Sequence, residues 1–385
     1  MKFALSPADN AFRDEIRTWI RDEFGDTWDG GALVSQEEIY EAGYATNKKL
    51  ASKGWLAMSW PKEYGGGGAT YWQQLIFNEE MAYHRVPFGG AVGIGFAGPT
   101  IMIYGTPEQK ARFLPPTVAG EMVWCQGFSE PGSGSDLASL ATRAVRDGDH
   151  YVINGQKIWT SFAHYADNMI LLARTDPSAP KHKGISYFLL DMKSPGISVR
   201  PLLDMTNGHF FNEVFFEDVV LPAEALLGEE NRGWYQATTT LDFERSSIAG
   251  SAGLRRSLEE LVDFFRGAKL VTAEFRVQVA DLRVAIEIGR MLSYQVVSMQ
   301  SRGLVPNKEA SIAKLFLSEL NQRFARAGFQ QLGLYGQLLP GSPLARLKGR
   351  YANNVMSTVP STIAGGTSEI QRNIIASRGL GLPRG

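Results

Sequence analysis

The feature that most constrains this chain is an interruption in its hydrophobic period. From Ser6 to about Gly120 apolar residues recur at helical spacing, as in Phe12, Ile16, Trp19 and Ile20, and Ser6-Pro7 ahead of them supplies a cap and a first-turn proline. Between about Glu121 and Gly233 that period gives way to short β-branched and aromatic runs. Asp147-Gly148 and Asn154-Gly155 predict hairpin turns there, and Met169–Ala173, Ile185–Asp191, Ile197–Pro201 and Val214–Phe216 predict strands. Helical spacing returns at Trp234 and holds through Leu254–Phe265, Ala273–Gln300 and Glu309–Leu332, with Leu282, Ile286, Gly289 and Val296 on one face. Segregated blocks of this kind predict an α+β multidomain chain: a helical domain over 1–120, a compact β domain over 121–232 and a four-helix bundle over 233–385.

Charge and cysteine content remove several classes of function. The 39 Lys and Arg residues against 40 Asp and Glu leave a net charge of −1, so there is no overall basic field for nucleic acid. Cys125 is the single cysteine, which precludes an internal disulfide and a thiolate metal site. The five histidines, His84, His150, His164, His182 and His209, are scattered, with no metal or triad spacing, and read as surface or β-domain residues. No metal is expected. Asp and Arg interrupt the apolar positions of the first 24 residues, so neither a signal-peptide core nor a membrane span is expected, and the reading is of a cytoplasmic protein.

Gly93-Ile94-Gly95-Phe96-Ala97-Gly98 matches the dinucleotide fingerprint GxGxxG, but no strand precedes it, Pro99 follows at once, and alternating βα units are missing. Close helix packing through small residues is the better account. The run Gly65–Gly68 reads as a flexible turn.

Three segments carry chemistry. Gly127–Asp136, reading GFSEPGSGSD, is dense in hydroxyls and in backbone that a ligand can approach, and it sits where helix gives way to strand. After the two predicted hairpin turns comes Trp159-Thr160-Ser161, an aromatic plane beside two hydroxyls, which taken alone reads more readily as a core tryptophan. The carboxyl end holds Ala364-Gly365-Gly366-Thr367-Ser368-Glu369-Ile370-Gln371-Arg372-Asn373.

In order, spacing and three-part texture these segments resemble the acyl-CoA dehydrogenase family across the whole chain. The resemblance implies a helical domain, a central β-barrel and a four-helix bundle, with FAD as cofactor and an acyl-CoA as substrate. Gln126, Phe128, Ser129, Gly134, Ser135, Trp159, Thr160, Ser161, Gln330, Gly333, Thr367 and Glu369 match FAD-contacting positions, Ser161 facing flavin N5. Ser135, Asp242, Arg245 and Gly366 match positions near the bound thioester and the CoA arm.

Family members abstract the α-proton with a glutamate while the β-hydride passes to flavin. In many, that glutamate directly precedes the Gly-Thr near the carboxyl end, where this chain has Gly365. A minority, long-chain and isovaleryl types among them, place it before an arginine on a bundle helix, matched by Leu241-Asp242-Phe243-Glu244-Arg245. The resemblance therefore implies Glu244 as the base.

Two family elements are altered. The Arg-x-x-Phe-Gly element that reaches the diphosphate of a neighbouring subunit's FAD has no counterpart in Phe264–Arg276, and the Gln-x-x-Gly-Gly-x-Gly loop becomes Gln330-Gln331-Leu332-Gly333-Leu334-Tyr335-Gly336. Either Arg266, Lys269 or Arg276 substitutes in a homotetramer, or a related chain supplies the contact in a mixed tetramer, as in heteromeric bacterial enzymes acting on steroid side-chain CoA esters. A flavin-sharing or non-catalytic subunit is the alternative function. By resemblance, electrons leave to an electron-transfer flavoprotein.

Overall fold

A computed structural model describes residues 5–26, 28, 30, 36–246 and 250–383, the side chains of 36 and 242–246 excepted. Its helices and strands run in order α1 Pro7–Phe24, α2 Gln36–Ser52, α3 Tyr71–Tyr83, α4 Gly98–Tyr104 and α5 Pro107–Val118, then β1 Trp124–Gly127, β2 Arg143–Asp147, β3 His150–Lys157, β4 Asn168–Arg174, β5 Ile185–Asp191, β6 Ile197–Leu202 and β7 Phe211–Pro222. The chain finishes with α6 Gly233–Ser246, α7 Gly250–Gly267, α8 Ala273–Gln300, α9 Asn307–Gln331, α10 Arg350–Ser357 and α11 Ser368–Ile374. Helical amino-terminal and carboxyl-terminal regions thus enclose a strand-rich middle in sequence, as the pattern predicts. Contacts divide the chain into two compact units, one of Met1–Val34, Ala69–Pro87 and Arg245–Gly385, the other of Ser35–Gly68 and Phe88–Glu244.

Among the described residues, the regular structure of the first unit is helical. Ser6 caps α1 and forms a reciprocal capping box with Asp9, behind Pro7 in the first turn. Leu254, Leu258, Leu261 and Phe265 of α7 bury against Leu282 and Ile286 of α8 and against Leu320 and Phe324 of α9. Gly328 is needed there, because a Cβ would lie 1.9 Å from the Tyr351 ring. Two carboxylates of α3 are buried but held: Glu79 meets Arg13 at 3.2 Å and Arg290 at 3.6 Å, and Glu80 meets Arg17 at 2.9 Å.

The second unit is organised by a curled seven-stranded sheet. Its strands pair in the order β1-β4-β2-β3-β7-β6, with β5 antiparallel to β4 off this path. β4 is buried on both faces, which is why it reads as an unbroken apolar run: Met169, Leu171 and Ala173 enter one core with Cys125 and Phe188, while Ile170 and Leu172 enter another with Trp60, Phe113 and Tyr187. The part of α6 in this unit is anchored by Thr240, wholly buried and 2.8 Å from the Thr100 hydroxyl of α4.

Two sequence expectations are corrected here. Asp147-Gly148 does open a tight hairpin, with Asp147 opposite His150 and Gly148 at φ +61°. Asn154-Gly155 does not turn the chain: it lies inside β3, where the register with β7 shifts between Ile153 and Gly155, and a Cβ on Gly155 would lie 2.7 Å from Thr142 Cα. The Gly65–Gly68 run is packed rather than loose, since a Cβ on Gly66 would meet the Trp60 carbonyl oxygen at 2.2 Å. Gly93–Gly98 packs the same tryptophan: Trp60 Nε1 donates to the Ile94 carbonyl at 2.8 Å, and a Cβ on Gly98 would fall 2.0 Å from its ring. That bears out the packing account.

Candidate active site

In the sheet unit, β1 ends at Gly127, where a Cβ would collide with Met169 Sδ at 2.3 Å, and the chain turns into Phe128–Asp136. Glu130 and Ser133 exchange backbone hydrogen bonds of 2.8 and 3.0 Å, which tightens the loop. The Glu130 carboxylate then accepts from the Ala141 and Thr142 backbone N–H groups at 2.6 and 2.9 Å and from Lys157 Nζ at 2.7 Å. Lys157 also donates to the Phe128 carbonyl at 3.1 Å, and its side chain has no exposed surface. Burial pushes this ammonium down to about 8, against the opposing pull of Glu130. Burial acts to raise Glu130, but Lys157 and the backbone donors outweigh it and hold the carboxyl below its usual range.

This buried pair fastens the loop to the end of β3, and Ile158 N–H adds a 3.0 Å bond to the Ser129 carbonyl. Two of the sequence-predicted segments are thereby side by side. Trp159 follows at φ +59° with its indole 56% exposed, edge-on to Phe211 at 5.6 Å. Ser129, Gln126 and Ser161 are half-buried, and Gly134 and Ser135 are exposed. Phe128 turns its ring into the core against Tyr187. Thr160 is fully buried, and its hydroxyl has no protein partner.

The helical unit holds a cleft of about 680 Å³. Gln330, Thr367 and Glu369 line it, with Glu319, Arg323 and Arg326 of α9 and Arg372 of α11. Arg372 pairs with Glu319 at 2.6 Å, whereas Arg323 and Arg326 have no acidic partner among the described residues. Sequence reading missed these arginines, although positions 323, 326 and 330 share one helical face. Arg266, Lys269 and Arg276 are exposed and do not line the cleft. Gly333, at φ +56°, follows the end of α9 on the surface.

Thr367 caps α11, its hydroxyl accepting from Ile370 N–H at 3.2 Å, and the exposed Glu369 has its carboxyl held below the usual range by first-turn backbone and Thr367 hydrogen bonding. Before the cap, Gly365 and Gly366 both take left-handed backbone, φ +62° and +86°. Their carbonyls are held by Gln371 Nε2, and that of Gly366 also by Lys314 Nζ at 2.7 Å. Ser368 Oγ, on the cleft, is buried without a partner. Asp242, Glu244 and Arg245 lie in α6, and their side chains are outside the described residues.

Both sets of residues suit a polar, ring-bearing cofactor: an exposed indole and an orphaned hydroxyl on one unit, a polar cleft with two unpaired guanidiniums and an orphaned hydroxyl on the other. No group of three or more His, Cys, Asp or Glu among the described residues could hold a metal ion, and none of the described helices is long and apolar enough to cross a membrane.

Comparison with known proteins agrees along the whole chain. Family profiles described as the acyl-CoA dehydrogenase N-terminal, middle and C-terminal domains match residues 6–121, 125–219 and 231–380. Acyl-CoA dehydrogenase FadE34 of Mycobacterium tuberculosis is 42% identical over 335 residues, covering 87% of this chain and 46% of that protein, so the chain spans about half the length of that relative. Among solved structures, the "Tcur3481-Tcur3483 steroid ACAD" superposes with a TM-score of 0.91 at 34% identity, covering 100% of both chains. The ChsE4-ChsE5 complex from Mycobacterium tuberculosis gives 0.89 at 35%, again over 100% of both.

Proposed function

The chain belongs to the acyl-CoA dehydrogenase family of FAD-dependent oxidoreductases, and from that premise we propose that it converts an acyl-CoA thioester to the trans-2-enoyl-CoA with Glu244 as the base. The observation that carries this reading is the junction of the Phe128–Asp136 loop with the Trp159–Ser161 turn, fastened by Lys157–Glu130 and by Ile158–Ser129. It sets the hydroxyls of Ser129 and Ser161 and the Trp159 ring on neighbouring segments, the groups that the resemblance assigns to the flavin ring. Gln126, Gly134, Ser135 and Thr160 belong to the same surface in this reading, and Gln330, Gly333, Thr367 and Glu369 to the cofactor contacts of the helical unit. When bound, FAD supplies the acceptor for the β-hydride.

The chain's own part is to take the α-proton and to steady the charge that develops at the thioester. With Gly365 at φ +62°, the position before Gly366-Thr367 has no carboxylate and a backbone in which a side chain is strained, which leaves Glu244 of the Glu-Arg pair in α6. Gly366, with its carbonyl held by Lys314 and Gln371, offers a backbone N–H toward the thioester end. Asp242 and Arg245 orient the CoA arm.

We further propose that the active form is a tetramer containing a related chain, acting on a steroid-type CoA ester and passing electrons to an electron-transfer flavoprotein. Leu334, 82% exposed, stands where the family loop has its second glycine, and the three cations that could replace the missing arginine lie outside the cleft. In this arrangement Arg323 and Arg326 supply positive charge for the cofactor's diphosphate. The test is the visible spectrum of the chain purified alone and co-expressed with its genomic neighbour, followed by anaerobic addition of straight-chain, branched and steroid-type CoA esters. Flavin bound only on co-expression and bleached by a steroid-type ester is the expected result. A chain that takes no flavin under either condition, or whose flavin no ester bleaches, removes the proposal.

A further inference from the structure

Trp159 and Phe162 take left-handed backbone, φ +59° and +55°, on either side of Thr160-Ser161. Neither is a glycine, so this conformation must be imposed from outside the turn. The partner is Asn212, the second residue of β7. Its carbonyl oxygen accepts from Thr160 N–H at 3.1 Å, and its side-chain Nδ2 donates to the Thr160 carbonyl at 3.0 Å. One residue therefore holds both backbone polar groups of Thr160. Asn212 and Thr160 have no exposed surface, and Phe211, the neighbour of Asn212, supports the Trp159 ring.

The rest of the Asn212 amide is also fully occupied. Nδ2 lies 3.0 Å from His164 Nδ1, and Oδ1 lies 2.7 Å from His209 Nε2 and 3.2 Å from His164 Nδ1. The two imidazoles stack with centroids 4.0 Å apart and planes 18° from parallel. The assignment that engages both amide hydrogens has His209 donating through Nε2 to Oδ1 and His164 accepting from Nδ2 at an unprotonated Nδ1. A second proton, on His164 Nδ1, would redirect that nitrogen to Oδ1, leave one Asn212 amide hydrogen without its acceptor and set a cation against the stacked His209. The groups facing His164 are His209 from the β6–β7 connection, Tyr165 on its own turn and the carboxylate of Glu37 from α2. Burial first, and His209 second, hold His164 below the usual imidazole range, against the opposing hydrogen bond with Asn212 and, after it, the pull of Glu37.

We propose that Asn212, kept in register by neutral His164 and by His209, is the positioning residue for the Trp159–Ser161 turn, setting the indole and the Ser161 hydroxyl that contact the cofactor. The proposal rests on the reading of that turn as flavin-facing. Asn212→Asp keeps the volume and the acceptor but removes both N–H donors. It is expected to weaken FAD binding about tenfold, to change the visible circular dichroism of bound flavin, and to speed amide hydrogen exchange at Thr160 and Ser161 in the cofactor-free chain while β4 and β5 exchange as before. Unchanged FAD affinity, dichroism and Thr160 exchange would overturn it.

A second measurement does not depend on that variant folding. FAD dissociation from the wild-type protein is expected to quicken as the pH falls below about 6.5, the ordinary imidazole value, and His164→Gln, whose amide oxygen stays an acceptor, is expected to flatten the profile. An unaltered profile in His164→Gln overturns the role of the histidines. If no form of the protein holds FAD, the flavin reading fails, while exchange at Thr160 still decides whether Asn212 holds the turn.

Discussion

Lys157 lies 2.7 Å from the Glu130 carboxylate with none of its side chain exposed, and this pair ties the two segments of the candidate flavin surface together. A buried pair is costly to break because the survivor is stranded without solvent. Lys157→Met should lower the unfolding free energy by about 3 kcal/mol, read from the denaturant midpoint. Glu130→Gln added to it should restore part of the loss, since the stranded charge is then gone.

The same lysine has an alkaline signature. Its folded value is depressed to about 8 from the ordinary 10.5, so between those limits the unfolded chain holds a proton that the folded chain has released. Stability from this group alone therefore rises with pH across that window. The stability gap between wild type and Lys157→Met should widen from pH 8 to 10.5; a constant gap would contradict the depressed value.

Glu244→Gln should retain FAD and bind an acyl-CoA, yet bleach the flavin about 10²–10⁴ times more slowly, the usual range for a lost general base. Placing the carboxylate at the alternative position should not rescue it. Glu244→Gln with Gly365→Glu sets a side chain on backbone at φ +62°, at a strain of about 1–2 kcal/mol. Rapid anaerobic bleaching by the double variant would show that the base can act from the carboxyl-terminal loop.

Arg323→Ala with Arg326→Ala should lower the FAD content of the co-expressed complex about tenfold or more, since charge-assisted bonds to phosphate are among the stronger polar contacts. Flavin content after gel filtration reads this directly, and undiminished flavin would exclude the cleft as a diphosphate site.

Gly98→Ala should cost about 1–3 kcal/mol by overpacking, because the new methyl would fall 2.0 Å from the Trp60 ring. A melting curve unchanged by this substitution would argue that Gly93–Gly98 serves something other than packing.

What could be read from sequence was what local rules govern. The Ser6 cap, the hairpin after Asp147 and the strand over Met169–Ala173 each show in the run of residues that forms them. Asn154-Gly155 misled because its dipeptide matches a turn, while the reason for its glycine is Thr142, thirteen positions away and pressed against it. Arg323 and Arg326 were readable from their shared helical face with Gln330, but nothing marked that face as a cleft wall until Thr367 and Arg372 stood opposite. The His164–His209 stack was not readable at all, since two histidines separated by β4, β5 and β6 share no period.

The division of the helical unit into three stretches of chain also bears on synthesis. Arg85 reaches Glu260 across 175 positions, and the Tyr83 hydroxyl reaches Glu259 across 176. On the ribosome, α1 and α3 can meet early, but α3 emerges long before α7, so the face it presents to α7 must wait, uncovered, while the rest of the sheet unit is made. The interval between those events is when the nascent chain most needs a chaperone, and a transcript cut short before α7 would release a polypeptide whose sheet unit is nearly whole but whose α3 never meets α7.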